Sequence, residues 1–192
     1  MALLIRDLQR AVPLRRARLR RDCQILRQIL GVGRFDLGLI CVDDRRMRIL
    51  NGRYRGRDAA TDVLSFPFHP VRPGFECWGS GRVHPSLPLR SFHQRRFDLG
   101  VGDMPKPLHQ DEYNLGDIFL GVEYIYRQSQ VHGQDFYSVL TVTTLHGICH
   151  LLGYRHSTET EWKQMFQRES NTLQLFNRLT GSNLQPLTQN SF

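Results

Sequence analysis

The stretch Leu145 to His156, LHGICHLLGYRH, most narrows what this chain can become. His146 and His150 stand four apart, which on an α-helix stacks their imidazoles on one face with Cβ atoms roughly 6 Å apart, a spacing that clamps one metal ion. Gly153 ends that helix. A glycine just past the last turn takes φ > 0 and folds the chain back, so Tyr154 and Arg155 carry His156 round toward the same point. Three imidazoles and an open fourth corner are the ligand set of a catalytic zinc ion, because the free corner holds a water whose pKa falls to about 7. In a chain with eight histidines an HxxxH pair alone is more often two ordinary side chains. The third histidine, placed by a helix stop, is what favours the metal. Cys149 is a conceivable soft ligand, yet beside Leu151 and Leu152 it reads better as a small buried hydrophobe.

What the helix lacks matters equally. In HExxH metalloproteases a glutamate directly follows the first histidine and acts as general base; here that place is Gly147. Peptide hydrolysis needs a proton shuttle to the leaving amine, and no carboxylate stands there to provide it. Phosphodiester cleavage asks instead for a cation at the phosphate. The formal net charge of +8 and pI near 9.9 favour a polyanionic partner, RNA or an acidic membrane surface. No apolar run approaches the ~20 residues of a membrane span. The 192 residues suit one domain with a real core, and the cysteines at 23, 41, 77 and 149 form no CxxC, as expected of reduced thiols inside a cell.

Taken in order, residues 1–8 read as an edge strand or the start of a targeting peptide. The arginines between 6 and 27 suit a mitochondrial presequence, whereas Asp7, Asp22 and the stripe Leu19, Cys23, Leu26, Leu30 suit a packed helix that Gly31 ends. Phe35 to Val42 reads as a strand, Arg45 to Tyr54 as a helix, and Thr61 to Phe68 as a strand that Pro67 confines to an edge. Six of the nine prolines lie in residues 69–110, which predict a disordered insertion whose His69, His84, His93 and His109 are solvated. Leu115 to Val122 reads as a buried strand, and Glu123 to Ser129 begins a helix. Phe136 to Leu152 is the histidine-bearing helix, with Val139, Val142, Leu145 and Cys149 as its inner stripe. Ser157 or Thr158 caps a last helix, Glu161 completing a capping box and Trp162, Met165, Phe166, Leu173 and Phe176 facing inward.

Three separated motifs carry a resemblance: LNGRYRGRDAATDVLSFPF at 50–68, NLGDIFLG at 114–121 and HGICHLLGYRH at 146–156. Together they closely resemble the YbeY family of metal-dependent endoribonucleases that act in ribosomal RNA maturation. The likeness covers about residues 1–68 and 111–180, as in a eukaryotic, mitochondrial member carrying an inserted loop. The resemblance implies an α+β fold in a single domain over 1–192: a small mixed four-stranded sheet, about five or six helices, and zinc-bound histidines at one end of a groove. It makes His146, His150 and His156 the ligands of one zinc ion, and gives the catalytic work to Arg55 and His146. Thr61, Asp62, Ser65 and Asp117 fall on its motifs, where they are read as fixing strand ends and loops around the site rather than doing direct chemistry.

Two departures stand out. The family carries Asp where this chain has Arg155, so a ligand-orienting carboxylate is replaced by a cation that either weakens the metal site or adds a phosphate contact. The insertion separates two strands that should be neighbours and must loop outward. The function implied is zinc-dependent endonucleolytic cleavage of single-stranded RNA in ribosome biogenesis, with ribosomal RNA and a small-subunit ribosomal protein as partners and no membrane. The compartment is mitochondrial, with nucleus or cytoplasm as alternatives. Competing readings are a non-catalytic zinc-containing ribosome-assembly factor and a zinc hydrolase of peptides or small molecules.

Overall fold

A computed structural model describes residues 2–68 and 113–187. The insertion expected at 69–110, its disorder, its four histidines and Cys77 lie outside the described residues. The element order is β1 (Leu3–Asp7), α1 (Arg16–Ile29), β2 (Asp36–Val42), α2 (Asp44–Arg55), β3 (Val63–Pro67), β4 (Asn114–Gly121), α3 (Val122–Val131), α4 (Phe136–Leu151) and α5 (Glu159–Thr180). The strands form one sheet in the order β1-β2-β4-β3, with β1 and β4 parallel to β2 and β3 antiparallel to β4. This is the expected α+β architecture, a mixed four-stranded sheet with five helices among the described residues.

Local chemistry sets the boundaries. The Asp43 carboxylate accepts the Arg46 N–H at 2.8 Å and so starts α2 one residue before the sequence pattern suggests. Asp135 caps α4 in the same way, and Thr158 and Glu161 form the capping box at the start of α5. β3 is shorter than the expected 61–68, and Val122 opens α3 instead of closing β4. The residues that flank the insertion still meet: Pro67 lies opposite Gly116, and the Phe68 N–H donates to the Leu115 carbonyl at 3.2 Å. The two strands it separates are neighbours, as expected.

The larger core lies between one face of the sheet and helices α1, α4 and α5; a smaller cluster of Val42, Met47 and Leu64 lies under α2 on the opposite face. The histidine-bearing helix departs from its expected single stripe. Every residue from Leu140 to Cys149 is buried, while Val139 is only half-buried. A helix enclosed on all sides is apolar all round, which hides any one-sided pattern. Trp162 and Phe166 are also half-buried, stacked on each other at 5.3 Å, and the inward stripe of α5 consists of Met165, Glu169, Thr172, Leu173 and Phe176. Cys23, Cys41 and Cys149 are buried free thiols, the first two pushed up to about 12 chiefly by burial.

Candidate metal centre

α4 presents His146 and His150 one turn apart near its C-terminal end. Gly153 then takes φ +89, and the Tyr154 N–H turns back to the Cys149 carbonyl at 3.0 Å. The reversal brings His156 against both helical histidines, with ring centroids 5.4 Å from His146 and 5.2 Å from His150. One ring nitrogen from each of the three lies within 4.8 Å of the others. Cys149 points instead into the core with no exposure, and its thiol is held well above its ordinary value, first by burial and then by Glu169. It is a packing residue.

The outward-facing nitrogens are engaged. His146 Nδ1 lies 2.8 Å from Oε1 of Glu169, a residue of α5 with no solvent exposure, and His150 Nδ1 lies 3.0 Å from the Tyr154 carbonyl. With an Nδ1–H donated to each of these acceptors, the two Nε2 lone pairs face each other at 3.0 Å. Bare lone pairs that close repel, so a shared proton or a metal ion must bridge them. Two nitrogens about 2.0–2.1 Å from one tetrahedral zinc ion lie about 3.3 Å apart, near the observed separation. Burial, followed by the charges of His146 and His156, keeps His150 well below the ordinary imidazole value, and burial lowers His156 too. Both therefore favour the neutral form that a metal ligand needs. The donor set fits one metal ion of the zinc type.

Arg55, the last residue of α2, is half-buried beside this cluster, and its charge helps to depress both His150 and His156. Its own pKa is lowered by burial, while Asp62 counteracts and Arg57 adds to the effect. Asp62 accepts from the Thr61 hydroxyl at 3.0 Å and from the Val63 N–H at 2.9 Å, fixing the entry to β3. Ser65 donates to the Gly147 carbonyl at 3.2 Å and ties β3 to the histidine-bearing helix. Asp117 is the exception. It is exposed, lies opposite Phe66 in the β3–β4 pairing, and rests over Gly38 on the face of the sheet away from α4. Arg55 acts on the histidines by its charge and Ser65 bonds their helix, Asp62 acts on Arg55 and is bonded by Thr61, and Asp117 lies on the opposite face of the sheet. Arg155 is half-buried in the reversal.

Gly147 explains the missing glutamate. A Cβ there would stand 3.0 Å from Ile118 Cγ2 and 3.2 Å from Ser65 Oγ, so this position faces the sheet. A carboxylate at 147 would be driven into β3 and β4 and away from the three histidines. The residue that sequence reasoning passed over is Glu169. Its signal was a charge on the apolar stripe Met165, Glu169, Leu173, Phe176, where an acid has no reason to be without a buried partner.

Comparisons with known proteins agree with this geometry. The family profile described as Endoribonuclease YbeY matches residues 16–177. A human protein named Endoribonuclease YbeY is 48% identical over 192 residues, covering 100% of this chain and 98% of its own. A protein of the same name from Geobacillus sp. (strain WCH70) is 33% identical over 73% of this chain and 72% of its own. The solution structure of TM1509 from Thermotoga maritima shares the fold with a TM-score of 0.55 at 20% identity, covering 99% of this chain and 97% of that one.

Proposed function

The chain belongs to the YbeY family of endoribonucleases, with a full-length human relative, and from that premise we propose that it is a zinc-dependent enzyme cutting single-stranded RNA in ribosomal RNA maturation. The observation that carries this reading is the convergence of three histidines beside a half-buried arginine, with Glu169 and the Tyr154 carbonyl holding Nδ1 of two of them. His146, His150 and His156 would hold the ion, which when bound supplies Lewis acidity at a phosphodiester oxygen. Arg55 offers planar N–H donors to the non-bridging phosphate oxygens and shares the charge that develops there. Because its guanidinium is partly desolvated, that interaction is stronger than at an open surface. Thr61, Asp62 and Ser65 keep Arg55 and the helix in register.

Single-stranded RNA is favoured because its unstacked backbone and bases are open to a basic groove. The net charge of +8 suits such a substrate, and among the described residues no helix is long and apolar enough to cross a membrane. A mitochondrial location and a small-subunit ribosomal protein as partner complete the proposal, resting on the arginine-rich start and on the ribosomal role. A peptidase reading is disfavoured because position 147 faces the sheet.

The test is zinc content and cleavage of a labelled single-stranded RNA by wild type and His150→Ala, after chelation and zinc readdition. Cleavage that needs bound zinc and His150 supports the proposal; zinc bound without any cleavage favours the assembly-factor reading. Arg55→Ala is expected to keep its zinc and lose cleavage by about 10²–10³-fold, the usual effect of removing one transition-state charge partner. Full activity in that variant removes Arg55 from the mechanism.

A further inference from the structure

α2 ends in Arg53-Tyr54-Arg55, Gly56 turns the chain at φ +66, and Arg57 follows. Two of the three earlier arginines of this helix are matched by acids: Arg46 by Asp43 at 2.7 Å and Arg48 by both oxygens of Asp58 at 2.5 Å. Arg53 and Arg57 are exposed and, among the described residues, neither forms an ion pair. Between them stands Tyr54, 42% exposed. Its ring is not loose. Phe66 of β3 braces it edge-on at 4.8 Å and 66°, and Phe119 of β4 braces Phe66 at 5.5 Å and 87°. Both phenylalanines pack on the Val42, Met47, Leu64 cluster, so an exposed aromatic is mounted on a rigid base. The Arg53 guanidinium lies 5.7 Å from the Tyr54 ring centroid, at the end of a flexible exposed side chain that can move aside or cover a second planar group.

The position relative to the metal centre gives this arrangement its meaning. Ser65 is bonded to α4 between His146 and His150, and Phe66, next along β3, turns to the opposite face with Phe119, so Tyr54 lies on the other side of the edge strand β3 from the histidines. Arg55, the next residue, stands close enough to the histidines for its charge to act on His150 and His156. An aromatic held beside unneutralised cations is the chemistry that binds single-stranded nucleic acid, the ring taking a base and the cations its flanking phosphates.

We propose that Tyr54, backed by Phe66 and Phe119, is a nucleobase-stacking subsite that holds a base of the RNA strand whose phosphate lies at Arg55. This rests on the ribonuclease reading and adds a specific substrate contact to it.

The zinc-loaded enzyme is assayed on a short single-stranded RNA as wild type, Tyr54→Ala and Tyr54→Phe, and on the same RNA with one abasic nucleotide walked along it. Stacking of one base predicts that Tyr54→Ala raises KM about 5- to 150-fold with a far smaller change in kcat, while Tyr54→Phe stays within about twofold. One abasic position should cost wild type a similar factor and cost Tyr54→Ala nothing further. An unchanged KM in Tyr54→Ala, a Tyr54→Phe as impaired as the alanine variant, or abasic losses equal in both enzymes overturns the subsite. If wild type cuts no RNA at all, the ribonuclease reading falls by itself. The subsite is then decided by 2-aminopurine fluorescence in bound RNA: quenching by wild type and not by Tyr54→Ala upholds it, and equal quenching overturns it.

Discussion

Glu169 shows how a single side chain sets the geometry of a histidine that could hold a metal ion. A fully buried carboxylate is costly unless paired, and here it accepts from His146 Nδ1 at 2.8 Å. That bond fixes the tautomer and aims Nε2 at the cluster. Glu169→Gln keeps the shape and loses the charge, and is expected to weaken zinc binding about 10–100-fold when measured against a competing chelator. Zinc affinity equal to wild type, with the fold intact by circular dichroism, would separate Glu169 from the metal. The three histidines were legible because one helix and one turn place them, and spacing along a single element is what a sequence displays. Glu169 was not, since it comes from another helix 23 residues beyond His146. Tyr54 was equally silent: on a helix with Met47 and Leu50 its spacing reads as core, and only its exposure reveals another use.

Among the elements, α4 depends on the one position where it touches the sheet most closely. At Gly147 an added Cβ meets Ile118 at 3.0 and 3.1 Å and Ser65 Oγ at 3.2 Å, all in a packed interior. Gly147→Ala improves helix propensity by about 1 kcal/mol in isolation, yet forces α4 off β3 and β4. The expected net effect is a loss of about 1–3 kcal/mol, read from denaturant midpoints at unchanged m-value. A gain in stability would mean that the helix can shift freely. Such close approaches are invisible in a sequence, where a glycine within a helix reads only as a weak helix former. The elements themselves were largely legible, because Thr158, Gly31 and Gly153 mark helix ends by local hydrogen bonding and backbone freedom. The enclosure of α4 was not, for an element buried on every side has no polar face to give its orientation away.

For the molecule as a whole, the buried imidazoles tie stability to acidity. His150 and His156 have folded pKa values below the ordinary value of about 6.5, chiefly from burial. The unfolded chain therefore takes up protons first as pH falls, so their contribution is intact above about 6.5 and is lost as pH drops toward the folded values. Metal-free protein is expected to melt at a lower temperature near pH 5.5 than near pH 7.5, with a smaller difference in His150→Asn. Identical pH slopes in the two proteins would show that His150 is not the coupled group.

The three histidines also belong to regions of unequal permanence. His146 and His150 sit on α4, whose residues from Leu140 to Cys149 are enclosed by the core, so its amides are expected to exchange only in large-scale openings. His156 follows Gly153 in a half-buried turn before α5, where local openings cost far less. A bound ion would accordingly be let go by its third ligand first, and its residence time would be written in the motions of a few residues around Tyr154 and Arg155.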